Sequence, residues 1–187
     1  MKINKLWNGL KQIANGDYVL EGNLICEEDI EIDLDDRLVV RGNVISKKSI
    51  VVQKGLIAGC GIKAGEGIEA GCGIEAGWCI KAGWCIEAGE GIKAGCGIEA
   101  GCGIEAGEGI EAGCGIEAGS FIHSEKRIFA GTSVYHSSQN CIKTIECAEL
   151  RKGEIAYGEL KIKVTETKMT IAEIEAKLGI KNLKIII

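Results

Sequence analysis

Several features common in other protein classes are scarce in this sequence. Among its 187 residues there are two histidines and no proline, and aromatic residues make up 4%. With only His123 and His136 available, a histidine-based catalytic or metal site has little support, and we predict no catalytic residues. Aromatic residues interleaved with basic ones, a pattern typical of proteins that stack nucleotide bases, are missing from the centre of the chain. Direct binding of nucleic acid is therefore not expected.

Long apolar runs are also missing. No segment approaches the roughly twenty apolar residues that a membrane-spanning helix needs, and the N-terminus lacks the apolar core of a signal peptide. We therefore expect a cytoplasmic protein without membrane contact. In that reducing compartment the ten cysteines are expected to be free thiols. No two are spaced as Cys-x-x-Cys, so neither a metal nor another cofactor is predicted.

The dominant feature of the chain is a six-residue repeat. Ten consecutive hexapeptides run from Gly61 to Ser120 and place isoleucine at every sixth position, from Ile62 to Ile116. This period fits no helix, because successive isoleucines would rotate around a 3.6-residue turn, whereas a strand keeps them on one face. In each unit Ile-Glu/Lys-Ala is predicted as a short strand with the charge outward, and Gly-x-Gly as a corner. Three units close one coil of a triangular, single-stranded parallel β-helix, for which six-residue units favour the left hand.

The same spacing of apolar residues extends beyond the perfect repeats. It begins at Leu24, slips by two residues in the acidic segment 33–36, and continues at the far end through Ile122 and Ile128. We therefore predict a mainly β protein whose solenoid spans residues 18–130.

Both ends of a solenoid expose strand edges that need covers. Residues 1–17 are predicted as a capping helix, because the apolar residues from Ile3 to Ile13 follow helical spacing. Residues 131–187 are predicted as a small α+β domain, with a helix from the capping box at Thr170 and a terminal apolar strand from Leu183. That strand would pair either within the domain or across a homodimer, so the domain is a candidate dimerisation module.

Charge provides the clearest indication of function. Residues 61–120 contain ten Glu and three Lys, whereas residues 121–187 carry a net charge of +3. One face of the coil is predicted to be purely acidic, and like charges stacked at strand spacing repel each other. An ordinary solvated face is the alternative to a surface for a basic partner. Two exposed corner tryptophans would suit an interface, although they could also fold back over the isoleucines. The candidate partner-binding residues are Glu69, Glu87 and Glu105 in one column, Glu90 and Glu108 at the neighbouring corner, and Trp78 and Trp84.

Several segments carry a resemblance to known proteins. VLEGNLICEEDIEI, VVRGNVISKKSI, the Gly-Ile-x-Ala-Gly array, RIFAG, IECAEL and GEIAYGEL resemble the uncharacterised repeat proteins of gut Firmicutes and their phages. The terminal MTIAEIEAKLGIKNLKII is similar to a tail of phage-associated proteins, and the opening repeats also resemble bactofilins, which are polymer-forming β-helices. These motifs indicate kinship but carry no established activity. Phage kinship, the acidic solenoid and the absence of catalytic groups together suggest an anti-defence inhibitor of the anti-CRISPR type. The resemblance to bactofilins implies the alternative, a structural or self-assembling protein.

The inhibitor hypothesis also draws on an analogy with pentapeptide-repeat gyrase inhibitors, acidic β-helices that mimic duplex DNA. By that analogy the partner would be a host protein such as a CRISPR nuclease, whose basic nucleic-acid-binding surface the acidic face would occupy. A third alternative is an acyltransferase, since the repeats are similar to those of the hexapeptide acyltransferases. His123 would be its one candidate base, and no acyl-carrier site is evident beside it.

Overall fold

The computed structural model describes residues 1–132 and 143–163. These residues form a parallel β-solenoid of about eight turns, with 23 strands and no helix. In chain order the strands are β1 Lys2–Asn4, β2 Leu10–Gln12, β3 Tyr18–Leu20, β4 Leu24–Cys26, β5 Ile30–Asp33, β6 Leu38–Val40, β7 Val44–Ser46, β8 Ile50–Val52, β9 Leu56–Ala58, β10 Ile62–Ala64, β11 Ile68–Ala70, β12 Ile74–Ala76, β13 Ile80–Ala82, β14 Ile86–Ala88, β15 Ile92–Ala94, β16 Ile98–Ala100, β17 Ile104–Ala106, β18 Ile110–Ala112, β19 Ile116–Ala118, β20 Phe121–Ala130, β21 Thr144–Cys147, β22 Glu149–Tyr157 and β23 Glu159–Ile162.

Apart from β2, which pairs antiparallel with β3, each strand pairs in parallel with a strand one coil away, which produces three faces. The first face contains β3, β6, β9, β12, β15, β18 and the end of β20. The second contains β4, β7, β10, β13, β16, β19, β21 and β23. The third contains β5, β8, β11, β14, β17 and the start of β20. We call the corner between the first and second faces corner A, that between the second and third corner B, and that between the third and first corner C. The long β20 and β22 both turn corner C.

From β6 to β19, the interior is filled by the first and third residues of each strand. The repeat isoleucines from Ile62 to Ile116 are at most 1% exposed, and the alanines that follow them are at most 7% exposed. Isoleucine lies over isoleucine in successive coils, as in the pair Ile68 and Ile86. The predicted β-helix, with Ile and Ala inward and the charged residue outward, is confirmed.

The two glycines of each corner differ in how much room surrounds them. A Cβ at the first glycine would lie 2.0 Å from the carbonyl oxygen of the coil below, as at Gly83 over Gly65, so no side chain fits there. At the second glycine the nearest backbone atom is farther away, 3.6 Å for Gly67. This difference explains why Cys79 and Cys85 can replace the second glycine but nothing in the perfect repeats replaces the first.

The predicted capping helix at residues 1–17 is wrong. β1 pairs in parallel with β5, and β2 pairs antiparallel with β3, so both segments extend the sheets. A strand satisfies the free N–H and C=O groups at those edges, which a helix would leave unpaired. Ile3 is fully buried, but Leu6 is 92% exposed, so the apolar stripe of the predicted helix does not exist.

The coil continues beyond the boundary predicted at residue 131. β21 pairs with β19, β22 with β20, and β23 with β21, all in parallel. These strands add to the same sheets, so the described part of the predicted C-terminal domain extends the solenoid. The predicted helix from Thr170, the terminal strand from Leu183 and the homodimer contact lie outside the described residues.

Candidate functional site

The acidic column consists of Glu69, Glu87 and Glu105, the central residues of β11, β14 and β17. Strand register places each directly beside the next, with His123 following Glu105. Their side chains point outward because the flanking Ile and Ala point into the core. The predicted stacking of the three carboxylates on the third face is confirmed. Among the described residues, no cation forms an ion pair with any of them.

The second face carries a matching set of stacked glutamates, of which the eighteen-residue coil predicts Glu99 and Glu117, on one face with Lys63 and Lys81, but not Glu146. Glu99 pairs in register with Glu117, and Glu117 with Glu146. Here the charges are compensated, because Lys81 contacts Glu99, and Lys163 Nζ lies 2.9 Å from Glu117 and 3.8 Å from Glu146. The sequence does not predict the place of Glu146, because residues 131–187 are expected to form a separate domain. Of these two sets of stacked glutamates, the acidic column is the one whose negative charges are not compensated by ion pairs within the described residues.

Glu90 and Glu108 stack at corner C, which adjoins the third face. Glu108 donates its backbone N–H to the carbonyl oxygen of Glu90 at 3.2 Å. Lys126, one coil further, places its Nζ 2.6 Å from Glu108. The predicted neighbouring position of the two glutamates is therefore confirmed, but Glu108 is already neutralised.

The two candidate tryptophans lie at different corners of one coil. Trp78 is at corner A and Trp84 at corner B, on either side of β13. Their exposures of 67% and 60% show that neither indole folds back over the core. Because corner B borders the third face, Trp84 adjoins the acidic column near Glu87, whereas Trp78 is separated from it by the second face. The structure thus groups only Trp84 with the acidic column.

An open trough of about 1000 Å³ lies along corner C and the first face. Its floor is formed by the second corner glycines, Gly73, Gly91 and Gly109. Arg37 borders one end, and the turn at Gly153 borders the other. The sequence analysis does not predict the trough. A column of glycines between two columns of charged residues nevertheless indicates a groove, because glycine has no side chain to fill the space.

The two walls of the trough are lined by charged side chains. On one side stand outward residues of the first face, and on the other stand residues of corner C. The wall residues are Glu75, Lys93 and Glu111 on the first face, and Glu90, Glu108 and Lys126 at the corner. Lys93 Nζ lies 3.3 Å from Glu111, so both walls contain internal ion pairs.

His123, the candidate base of the acyltransferase alternative, is held by a carboxylate. Its Nε2 lies 2.9 Å from Glu125 Oε1. Lys152 also hydrogen-bonds Glu125, and together these two contacts hold the pKa of that carboxyl below its usual range. Among the described residues, no three His, Cys, Asp or Glu side chains form a group suited to a metal ion.

Comparisons with protein-family models, with curated proteins and with solved structures found no match to this chain. The described parts also contain no helix of the length and apolarity that crossing a bilayer requires.

Proposed function

We propose that this chain is a non-enzymatic, protein-binding β-solenoid whose acidic column engages a basic surface of its partner. The supporting observation is that Glu69, Glu87 and Glu105 stack without a compensating cation in the described part of the chain. Repulsion between adjacent carboxylates falls when a cationic surface approaches, so binding relieves a cost that the free protein carries. Trp84 at the margin of the column supplies an exposed aromatic anchor.

The partner class that suits this surface is a nuclease with a basic channel for nucleic acid. Parallel strands place one carboxylate about every 4.8 Å along the column. A DNA strand presents one phosphate about every 3.4 Å of its axis, so the two charge densities are similar. A phage-encoded inhibitor of a CRISPR nuclease would use such a column to occupy the channel.

Charge reversal at the acidic column tests this proposal. Purified CRISPR nucleases, treated to remove bound nucleic acid, would be titrated with the intact protein and with the triple variant E69K/E87K/E105K. We expect the intact protein to bind one of them with an affinity that falls as salt rises, and the triple variant to lose about a hundredfold or more.

The ion-paired glutamates of the second face provide the matched control. E99K/E117K/E146K reverses the same number of stacked charges, and we expect it to retain binding within about fivefold. Unchanged affinity and salt dependence in the E69K/E87K/E105K variant would contradict the role of the acidic column. Thermal melting of each variant would establish that it is folded.

Self-assembly through the coil ends is a second candidate function. β4 and β23 terminate the eight-stranded sheet, and each pairs on one side only within the described residues. Leu160 and Ile162 are 37% and 46% exposed, although they lie in register with the fully buried Ile145 and Cys147. An open parallel edge of this kind can accept a strand from another copy.

Electron microscopy over a range of protein concentrations distinguishes the two candidates. Filaments that form without a partner, and that L160E abolishes, would favour self-assembly. Monodisperse particles at every concentration would contradict it.

A further inference from the structure

The last strand of the described chain leaves part of the core open. β23 pairs with β21 on one side and with no other strand of the described residues. Leu160 and Ile162 lie in register with the fully buried Ile145 and Cys147, so their side chains point into the coil, yet both stay more than a third exposed. The described coil therefore ends in an apolar surface.

The backbone of β23 is open on the same side. Glu159 and Lys163 direct their N–H groups toward β21, and the Lys163 N–H donates to the Cys147 carbonyl oxygen at 2.7 Å. Successive residues of a strand direct their N–H and C=O groups to opposite edges. The backbone groups of Leu160 and Ile162 therefore point away from β21, toward the position that one more strand would take.

Residues 183–185 repeat the sequence of this edge strand. They read Leu-Lys-Ile, as do residues 160–162, and the chain continues for 24 residues after Lys163. Within the coil, the same order of apolar, charged and small apolar residues in Ile80–Ala82 places the first and third side chains inward. The C-terminal segment thus carries the pattern that a strand above β23 requires.

The length of the intervening chain also fits one more coil. On the second face, Ile145 follows its partner Ile116 by 29 residues, and Leu160 follows Ile145 by 15 residues. Leu183 follows Leu160 by 23 residues, which lies between these two coil lengths. The chain is therefore long enough to return to the edge of β23 within one coil.

This pairing would bring two lysines together on the outer surface. Lys184 would lie beside Lys161, and the same face already carries Lys63 beside Lys81. Lys161 also lies beside Glu146 on its other side, which offsets part of the repulsion between the lysines. The charge pattern is therefore compatible with the added strand.

We propose that the open edge of β23 is occupied by the C-terminal segment of the same chain, with residues 183–185 in parallel register with residues 160–162. In this register Leu183 and Ile185 cover the open core, and Ile186 faces outward. Another copy of the protein can then pair with β23 only by displacing the segment, which restricts self-assembly at this end. The proposed binding of a nuclease by the acidic column does not depend on this pairing.

Amide hydrogen exchange of the isotope-labelled full chain, measured by NMR, tests this proposal. We expect the Leu160 and Ile162 amides to exchange about a hundredfold or more slowly than unstructured amides. I185D places a carboxylate in the core, and we expect it to accelerate exchange of both amides about tenfold or more. I186D makes the same substitution on the outward side, so a change of less than about twofold is expected. The Lys163 amide, which bonds to β21, is the internal control.

Three results would overturn the inference. The first is rapid exchange of the Leu160 and Ile162 amides in the intact protein, and the second is an equal effect of I185D and I186D. The third is protection that disappears on dilution, because it would assign the edge to a second copy of the chain. The measurements on the intact protein need no variant, so they decide the question even if I185D associates.

Discussion

Cys114 donates its backbone N–H to the carbonyl oxygen of Cys96 at 2.9 Å, so the two cysteines occupy corner A one coil apart. Parallel coils are separated by about 4.8 Å, which lies within the Cα separations that disulfides span. Trp78 lies between Cys60 and Cys96 in the same corner, which places Cys60 two coils from Cys96.

Oxidised glutathione is therefore expected to link Cys96 to Cys114. The two thiols lose two protons and two electrons to one oxidised glutathione, which leaves as two reduced molecules. Peptide mapping by mass spectrometry should find this disulfide within one chain and should not find one between Cys60 and Cys96. A Cys60–Cys96 linkage would contradict the order of residues at corner A.

Gly83→Ala is expected to destabilise the solenoid by about 2 kcal/mol or more, because its Cβ would lie 2.0 Å from the Gly65 carbonyl oxygen. Gly67→Ala is the matched control, since its nearest contact is 3.6 Å and a change of about 0.5 kcal/mol or less is expected. Chemical denaturation followed by circular dichroism measures both. Equal effects at the two positions would show that the corner glycines are equivalent.

Glu87→Gln is expected to stabilise the protein by about 0.5 kcal/mol at low ionic strength, because Glu87 stands between two like charges. Added salt should reduce this gain by screening the repulsion in the intact protein. Glu99→Gln, which removes the partner of Lys81, should instead be neutral or slightly destabilising. Denaturation midpoints at two salt concentrations provide the comparison, and a destabilised Glu87→Gln would argue against repulsion in the column.

Asp17 is expected to make stability depend on pH in the acid range. Burial by itself raises the pKa of this carboxyl, but hydrogen bonds from Arg37 and Asn15 outweigh it and hold the pKa below its usual value. A lowered folded pKa gives stability that is fully present above the ordinary value of about 3.9 and is lost as pH falls through the lower one.

Asp17→Asn should therefore cost about 2 kcal/mol at neutral pH and progressively less below about pH 4. Glu21→Gln, at an exposed position, is the control. Urea denaturation across the acid range would measure the difference between each variant and the intact protein. A cost for Asp17→Asn that stayed constant down to pH 2 would contradict the assignment.

The regular part of the fold could be predicted because its periodicity has one structural solution. A six-residue repeat that begins with isoleucine fixes both the coil and the stacking of Glu69, Glu87 and Glu105. The N-terminal strands could not be predicted, because Ile3, Leu6 and Leu10 follow helical spacing and the unpaired edges of β5 and β3 are visible only in the folded coil. The glycine column of the trough could be predicted from the repeat, whereas the position of Glu90 over Gly73 depends on a rotamer and not on a sequence pattern.

The three hexapeptides that make up each coil also limit how such a chain can change in length without altering its faces. Losing three whole hexapeptides removes one complete coil and leaves every remaining glycine above a carbonyl group. Losing one hexapeptide preserves the glycine contacts but moves every later charge to a different face, so Glu105 would no longer follow Glu87. Duplication or deletion among these near-identical repeats therefore keeps the acidic column in register only when whole coils of three hexapeptides are gained or lost. The length of the column accordingly changes in steps of one coil.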